Sequence, residues 1–179
     1  MKLIKPYKKA SVDLITTYYN PIHKAIDWKS KYGMPLVAPE DGIVTRILGG
    51  TYTPNDTMPL ARGYVIEITS GDTRHEYWHI LPYTPVLLGD TVKRGQIVAY
   101  MGNSGNVLSG GHYVPINERT QAPFAGTHLH QNMIIDGEYI NSLLYMDLRE
   151  EPAYTIMDEL SAASKTLKNM LASLVAYRE

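Results

Sequence analysis

The residues best equipped for chemistry are His128 and His130, on either side of Leu129, and a second group in which His23 precedes Asp27 by four positions. Side chains at i and i+2 of a strand point to one face, so the first pair can turn both imidazoles into one cavity, with Cα atoms about 6.6 Å apart. The chain has no cysteine, so any metal must sit on imidazole nitrogen and carboxylate oxygen, a donor set that suits Zn²⁺. On a straight strand His23 and Asp27 would stand about 13 Å apart, too far to share an ion bound at about 2.0–2.2 Å. The chain must fold back between them, and Asn20-Pro21 before and Lys31-Tyr32-Gly33 after favour a turn entering a strand. Three protein ligands with a fourth position open to solvent is the layout of a catalytic zinc, which acidifies water and polarises a carbonyl. A further histidine suits the proton transfers because its pKa lies near neutrality. His79, alternating with Tyr77 in Glu76-Tyr77-Trp78-His79-Ile80, is a candidate. The pattern reads as a zinc hydrolase.

The elements that must hold these residues are mostly strands. Fourteen Gly, eleven Pro and fourteen Tyr imply short strands and tight turns. Strand character runs over Val12 to Tyr19, Gly42 to Leu48 after the Pro39-Glu40-Asp41-Gly42 turn, and Tyr64 to Thr69. A hairpin turn at Ser70-Gly71-Asp72 leads into Thr73 to Leu81, and a final hairpin turns at Asp136-Gly137. Gly49 to Arg62 and Asn103 to Gly126 read as long loops. The sheet is expected to be antiparallel.

The end of the chain differs. From Pro152 onward there is no glycine and no further proline, and Ile156, Leu160, Ala163, Leu167, Met170 and Leu174 recur at helical spacing. An amphipathic helix starting near Thr155 is predicted, with Asp158 and Glu159 well placed in its first turn. Its apolar stripe is expected either to pack on the sheet domain or to serve self-association as a short coiled coil.

Composition narrows the function classes. The chain has 179 residues, enough for one domain with an appendage, and its 44% hydrophobic and 20% charged content is that of an ordinary globular protein. A net charge of −1 offers no footprint for nucleic acid. No window has the ~20 apolar residues of a membrane span. The basic start lacks the apolar core of a signal peptide, so synthesis in the cytoplasm without an export signal of its own is expected. His75 and His112 match no motif and are expected to be solvated or locally hydrogen-bonded; Trp28 and Trp78 suit a core or a cleft rim.

Taken together, His23-x3-Asp27, Gly42-Ile43-Val44, Tyr77-Trp78-His79-Ile80, Gly89-Asp90-x-Val92-x2-Gly95-Gln96, Gly102-Asn103-Ser104-Gly105 and His128-Leu129-His130 resemble, in order and rough spacing, the lysostaphin-type zinc endopeptidases of peptidase family M23. The resemblance covers about residues 12 to 145. It implies a mainly β fold, an antiparallel sheet domain over residues 1–147, with the amphipathic helix as an extension over 148–179. It implies that His23, Asp27 and His130 hold Zn²⁺, that His128 is the general base, and that His79 orients the attacking water or stabilises the oxyanion. Tyr18 or Tyr19 could supply the upstream tyrosine that family members often place near that oxyanion. The implied substrates are the peptides of bacterial peptidoglycan, cut in the stem peptide or the cross-bridge.

Three departures bear on activity. Ala25 stands where the family usually has glycine, and would carry about 1 kcal/mol of strain if that position needs positive φ. Gln131-Asn132 replaces a frequent Phe-Glu, which could change how His130 is oriented. Asn106 to Gly126 is longer than usual and could wall the cleft or block it. Ala25 and the loop motivate an alternative, a catalytically silent module that binds peptidoglycan or activates a partner. The absence of an export signal and the tail helix fit a phage lysin or a virion-associated wall-opening enzyme, docked through that helix.

Overall fold

Alternating side chains in Tyr64–Ser70 and Thr73–Ile80, joined at Gly71-Asp72, form the hairpin at the middle of the main sheet. The computed structural model describes residues 2–48 and 62–176, with side chains to 172. Its strands are β1 (Leu3–Ile4), β2 (Ile15–Thr17), β3 (Ile26–Trp28), β4 (Pro35–Val37), β5 (Gly42–Leu48), β6 (Tyr64–Ser70), β7 (Thr73–Ile80), β8 (Thr91–Val92) and β9 (Ile97–Tyr100). They continue with β10 (Leu108–Ser109), β11 (His112–Tyr113), β12 (Leu129–Ile135), β13 (Glu138–Ile140) and β14 (Met146–Asp147); the helices are α1 (Ile116–Arg119) and α2 (Ile156–Ala176). The main sheet is eight-stranded, in the order β2-β3-β12-β7-β6-β5-β8 with β13 also on β12, and its pairs are antiparallel. β4 pairs with β9 beneath it, and β1 pairs with β14 in parallel.

One face of this sheet is apolar. Ile26, Trp28, Leu129, Tyr77, Ile66 and Ile68 bury themselves against Leu36, Val98 and Ala99. Two of the large polar side chains on this face place their polar atoms on partners. The Tyr77 hydroxyl donates to the Val37 carbonyl at 2.8 Å and the Trp28 indole N–H to Gln131 Oε1 at 2.8 Å. Gln131 thus serves the core, on the face opposite the one His130 occupies. The other face carries Asp27, His130, Trp78, Asn132, Glu76 and Glu67, by the alternation of β3, β12, β7 and β6.

Two expectations need revising, and a third falls on residues the structure does not describe. Val12–Leu14 is a 3₁₀ turn, so the strand predicted from Val12 to Tyr19 shrinks to β2. The loop from Asn103 to Gly126 contains the β10–β11 hairpin and the single turn of α1. The loop predicted over Gly49–Arg62 lies, but for its last residue, outside the described residues.

α2 forms where predicted, and Thr155 with Asp158 closes its first turn: the Asp158 N–H donates to Thr155 Oγ1 at 3.2 Å, and Thr155 donates back to the Asp158 carboxylate. The face that docks is not the apolar stripe, however. Ala162 is buried against Ile4, Val37, Ile97 and Tyr154, and Asn169 donates to the Thr84 carbonyl at 2.9 Å. With Thr166 between them, these residues sit at i, i+4 and i+7, one face of a helix. Ile156, Leu160 and Leu167 remain 76%, 59% and 56% exposed. A small side chain brings the helix close to the sheet domain, so the docked side is marked by alanine and polar residues rather than by leucines. No described helix is long and apolar enough to cross a membrane.

Candidate metal centre and cleft

Strand register assembles the metal-ligating group. On β12, His130 is the direct partner of Asp27 on β3 and of Trp78 on β7. Directly opposed residues share a face, so the three side chains form one row across the sheet. His23 reaches this row through a turn: Asn20 Oδ1 accepts the N–H groups of Ile22 and His23, both at 2.9 Å, and the Asn20 N–H donates to the His23 carbonyl at 2.9 Å. Such an Asx-turn reverses the chain and supplies the fold-back that a shared ion requires.

The donor atoms of His23, Asp27 and His130 lie within 4.8 Å of one another. His130 Nδ1 stands 2.9 Å and His23 Nε2 3.2 Å from Asp27 Oδ1. Two ligands on a tetrahedral zinc stand about 3.4 Å apart, so these separations are close to those a zinc site needs. His23 Nε2 is buried and, its approach to Asp27 Oδ1 apart, has no polar partner among the described residues, as expected of an atom that completes its coordination on an ion. Burial alone would raise the Asp27 carboxyl, but the bonds to His130 and then to His23 outweigh it and hold the group far below the usual carboxylate range. Burial lowers the His130 imidazolium, with the Asp27 bond opposing. An ionised carboxylate and neutral imidazoles are the protonation states that bind a cation. The chemistry and spacing of the donor set fit zinc.

The remaining histidines are brought in by irregular backbone. Between β6 and β7 the register shifts, Tyr64 facing Ile80 while Val65 faces Trp78, which leaves His79 as an extra residue with φ of 63°. In a regular strand His79 would share the core-facing side of Tyr77. The bulge turns it to the cleft instead. There His79 Nδ1 donates to the Ser104 carbonyl at 2.7 Å, and His128 Nδ1 donates to the Gly126 carbonyl at 2.8 Å. Carbonyl oxygens only accept, so the ring proton of each neutral histidine is on Nδ1 and Nε2 carries the lone pair. The two rings are 4.6 Å apart. Burial first, then the neighbouring His128 and His130, push the His79 pKa well below its ordinary value.

Around these groups opens a cleft of about 900 Å³. Thr16, Thr17 and Lys29 line one side, and Leu108 and Tyr113 of the β10–β11 hairpin line the other. The long loop is therefore a wall, with the cleft open beside it. Sequence patterns did not single out these lining residues. Cross-strand register would have marked Thr17, the partner of Asp27. Trp78 is at the cleft, stacked on His130 with centroids 4.3 Å apart, and its indole N–H donates to Glu76 Oε2 at 3.0 Å. Asn132 donates to the same oxygen at 3.3 Å, so its link to His130 runs through Glu76 and Trp78.

Tyr18 and Tyr19 are turned elsewhere. The Tyr18 hydroxyl donates to the Val12 carbonyl at 3.3 Å and the Tyr19 hydroxyl to the Tyr139 carbonyl at 2.7 Å; Thr16 and Thr17 are the residues of this segment that face the cleft. Ala25 is buried and is absent from the described residues with positive φ, so the strain expected there does not arise. His75 is buried against Glu40 at 2.7 Å, away from the cleft, and His112 is exposed on β11.

Comparison with known proteins agrees with this geometry. The family model described as Peptidase family M23 matches residues 21–142. A protein of Haemophilus influenzae described as an uncharacterized metalloprotease is 30% identical over 124 residues, which are 68% of this chain and 20% of that protein. The chain thus spans a fifth of that relative's length. Among solved structures, a zinc-containing peptidase from Vibrio cholerae aligns with a TM-score of 0.59 at 20% identity over 80% of this chain and 40% of that one. The catalytic domain of lysostaphin from Staphylococcus simulans aligns with a TM-score of 0.50 at 19% identity, over 79% of this chain and 88% of that one. At these identities the likeness is one of fold: an antiparallel sheet of the lysostaphin type, here followed by a C-terminal helix.

Proposed function

Because the chain belongs to peptidase family M23, we propose that it is a zinc-dependent endopeptidase that hydrolyses peptide bonds of bacterial peptidoglycan, in the stem peptide or the cross-bridge. The observation that carries this reading is the convergence of His23, Asp27 and His130 on one point beside two further histidines whose Nε2 atoms are free to accept. His23 Nε2, Asp27 Oδ1 and His130 Nδ1 would hold the ion. Bound zinc supplies an acidic water and a Lewis acid for the scissile carbonyl.

The protein's own part in the reaction follows from tautomers and burial. His128 Nε2 accepts the proton of the attacking water and later returns it to the leaving amine. His79 takes the orienting role: its Nδ1–H is committed to Ser104 and its burial disfavours the imidazolium. It accepts a hydrogen bond from the water and does not donate one to the oxyanion. Trp78 braces His130 by stacking on its ring, with centroids 4.3 Å apart. The peptide lies between the Thr17 wall and the β10–β11 hairpin.

The silent-module alternative loses its motivation, since Ala25 is unstrained and the loop leaves the cleft open. Zinc-loaded protein incubated with peptidoglycan from several bacteria tests the reading. Release of soluble fragments, stopped by a chelator, supports it; zinc-loaded protein that frees none from any source counts against it. The place of action follows from the substrate, the bacterial cell wall. As the finer reading we propose a phage lysin or virion-associated enzyme, supported by the exposed stripe of α2 as a docking face. Presence of the chain in purified phage particles or lysates supports this, and absence from both contradicts it.

A further inference from the structure

Alternation along β3 continues past its end. Asp27 faces the cleft, Trp28 is fully buried, and Lys29 lines the cleft again. Its Cα is about 6.6 Å from that of Asp27 along the strand direction. The root of this lysine is fixed, because its N–H donates to the Leu14 carbonyl at 2.7 Å and its carbonyl accepts the Tyr7 hydroxyl at 2.8 Å. The side chain itself is exposed into the cleft.

Charge makes the position distinctive. Lys29 is the one lysine or arginine among the described cleft-lining residues, and it has no ion-pair partner among the described residues. The one carboxylate among the described cleft-lining residues is Asp27, and it is taken by His23 and His130. The loop that lines the cleft from Asn106 to Tyr113 presents no charged side chain to it and offers no counter-charge. A peptide extended through the cleft rises about 3.3 Å per residue, so a group on it within two residues of the reacting carbonyl comes within reach of the ammonium.

We propose that Lys29 is a specificity-determining residue, selecting peptides that carry a free carboxylate within two residues of the scissile bond. This rests on the peptidase reading of the cleft and deepens it to an acidic substrate class. The attraction works through a partly solvated ion pair, so it discriminates by charge and weakens with salt.

The test uses two synthetic stem peptides that differ only in having that carboxylate free or as the carboxamide. The zinc-loaded wild type, Lys29→Met and Lys29→Arg are each measured for Kd and kcat/KM with both peptides. The wild type and Lys29→Arg are expected to prefer the carboxylate by about tenfold at low salt, and Lys29→Met to bind and cut both peptides alike. A preference in Kd that Lys29→Met abolishes supports the proposal whether or not the bond is cut, and cleavage separately reads the peptidase assignment. The same preference in Lys29→Met as in wild type, or none in wild type, overturns it.

Discussion

His79 follows Trp78 directly in the chain, yet both side chains lie on the cleft side of the sheet, their rings 6.5 Å apart. The bulge responsible is held by packing as well as by hydrogen bonds. A Cβ on Gly102 would come within 2.8 Å of the His79 carbonyl oxygen and 3.0 Å of the Ile80 carbonyl carbon, and the Gly102 carbonyl also receives the His128 N–H at 3.3 Å. Gly102 thus sets the backbone of both non-ligand histidines. Gly102→Ala is predicted to lower kcat by about 10–100-fold, with zinc content unchanged, since a misplacement on the order of 1 Å is costly at a reacting centre. Steady-state kinetics with metal analysis checks this; unchanged kcat would show that the contact is slack.

His128→Ala should lower kcat by about 10²–10⁴-fold, the usual contribution of a general base, with little change in KM and full zinc content. Loss of zinc together with activity would make His128 a ligand or a support for one, and would reassign it.

Much of this site was legible in the sequence, though by different routes. The hairpins at Ser70-Asp72 and Asp136-Gly137 follow from alternation and turn residues, and both formed as read. The meeting of Asp27 and His130 depends on register between strands about a hundred positions apart in the chain, which local pattern does not encode; the family resemblance pointed to it. His79 is sharper still, because alternation alone places it with Tyr77 in the core. The tyrosines illustrate the converse: Tyr18 and Tyr19 have the right chemistry, but their hydroxyls bond to the Val12 and Tyr139 carbonyls, and beside the register shift in β2 it is Thr16 and Thr17 that line the cleft. In α2 the periodicity correctly announced a helix; of the two uses expected for its apolar stripe, packing on the sheet domain falls instead to the face of Ala162.

The tail therefore yields its own prediction. Leu160→Lys or Leu167→Lys should change folding stability by no more than about 0.5 kcal/mol, as for other exposed positions. Ala162→Leu, on the docked face, should cost about 1–3 kcal/mol through overpacking. Urea denaturation of the three variants distinguishes the faces, and the reverse order would mean that the stripe is what packs.

Glu151 ties the end of the sheet domain to the start of the chain, accepting from the buried Lys5 and from the Lys9 N–H at 2.8 Å. Its burial favours the neutral acid, but these two bonds outweigh that effect and lower its pKa. A carboxyl whose folded pKa is depressed contributes stability that is complete above its unfolded value, about 4.3, and lost as pH falls through the folded value. Glu151→Gln should be less stable than wild type at pH 7, with the gap closing at pH 3. A gap that stays constant between urea titrations at the two pH values would remove the ion pair as its cause.

In the proposed site His23, Asp27 and His130 alone bind the metal while His79 and His128 act beside it. Zinc per chain, measured by mass spectrometry after dialysis against trace-metal-free buffer, tests this most directly in the wild type and five single alanine variants. About one zinc per chain is predicted for wild type, His79→Ala and His128→Ala, and close to none for His23→Ala, Asp27→Ala and His130→Ala. A wild type that takes up no zinc, or a ligand variant that still holds a full equivalent, would contradict the account.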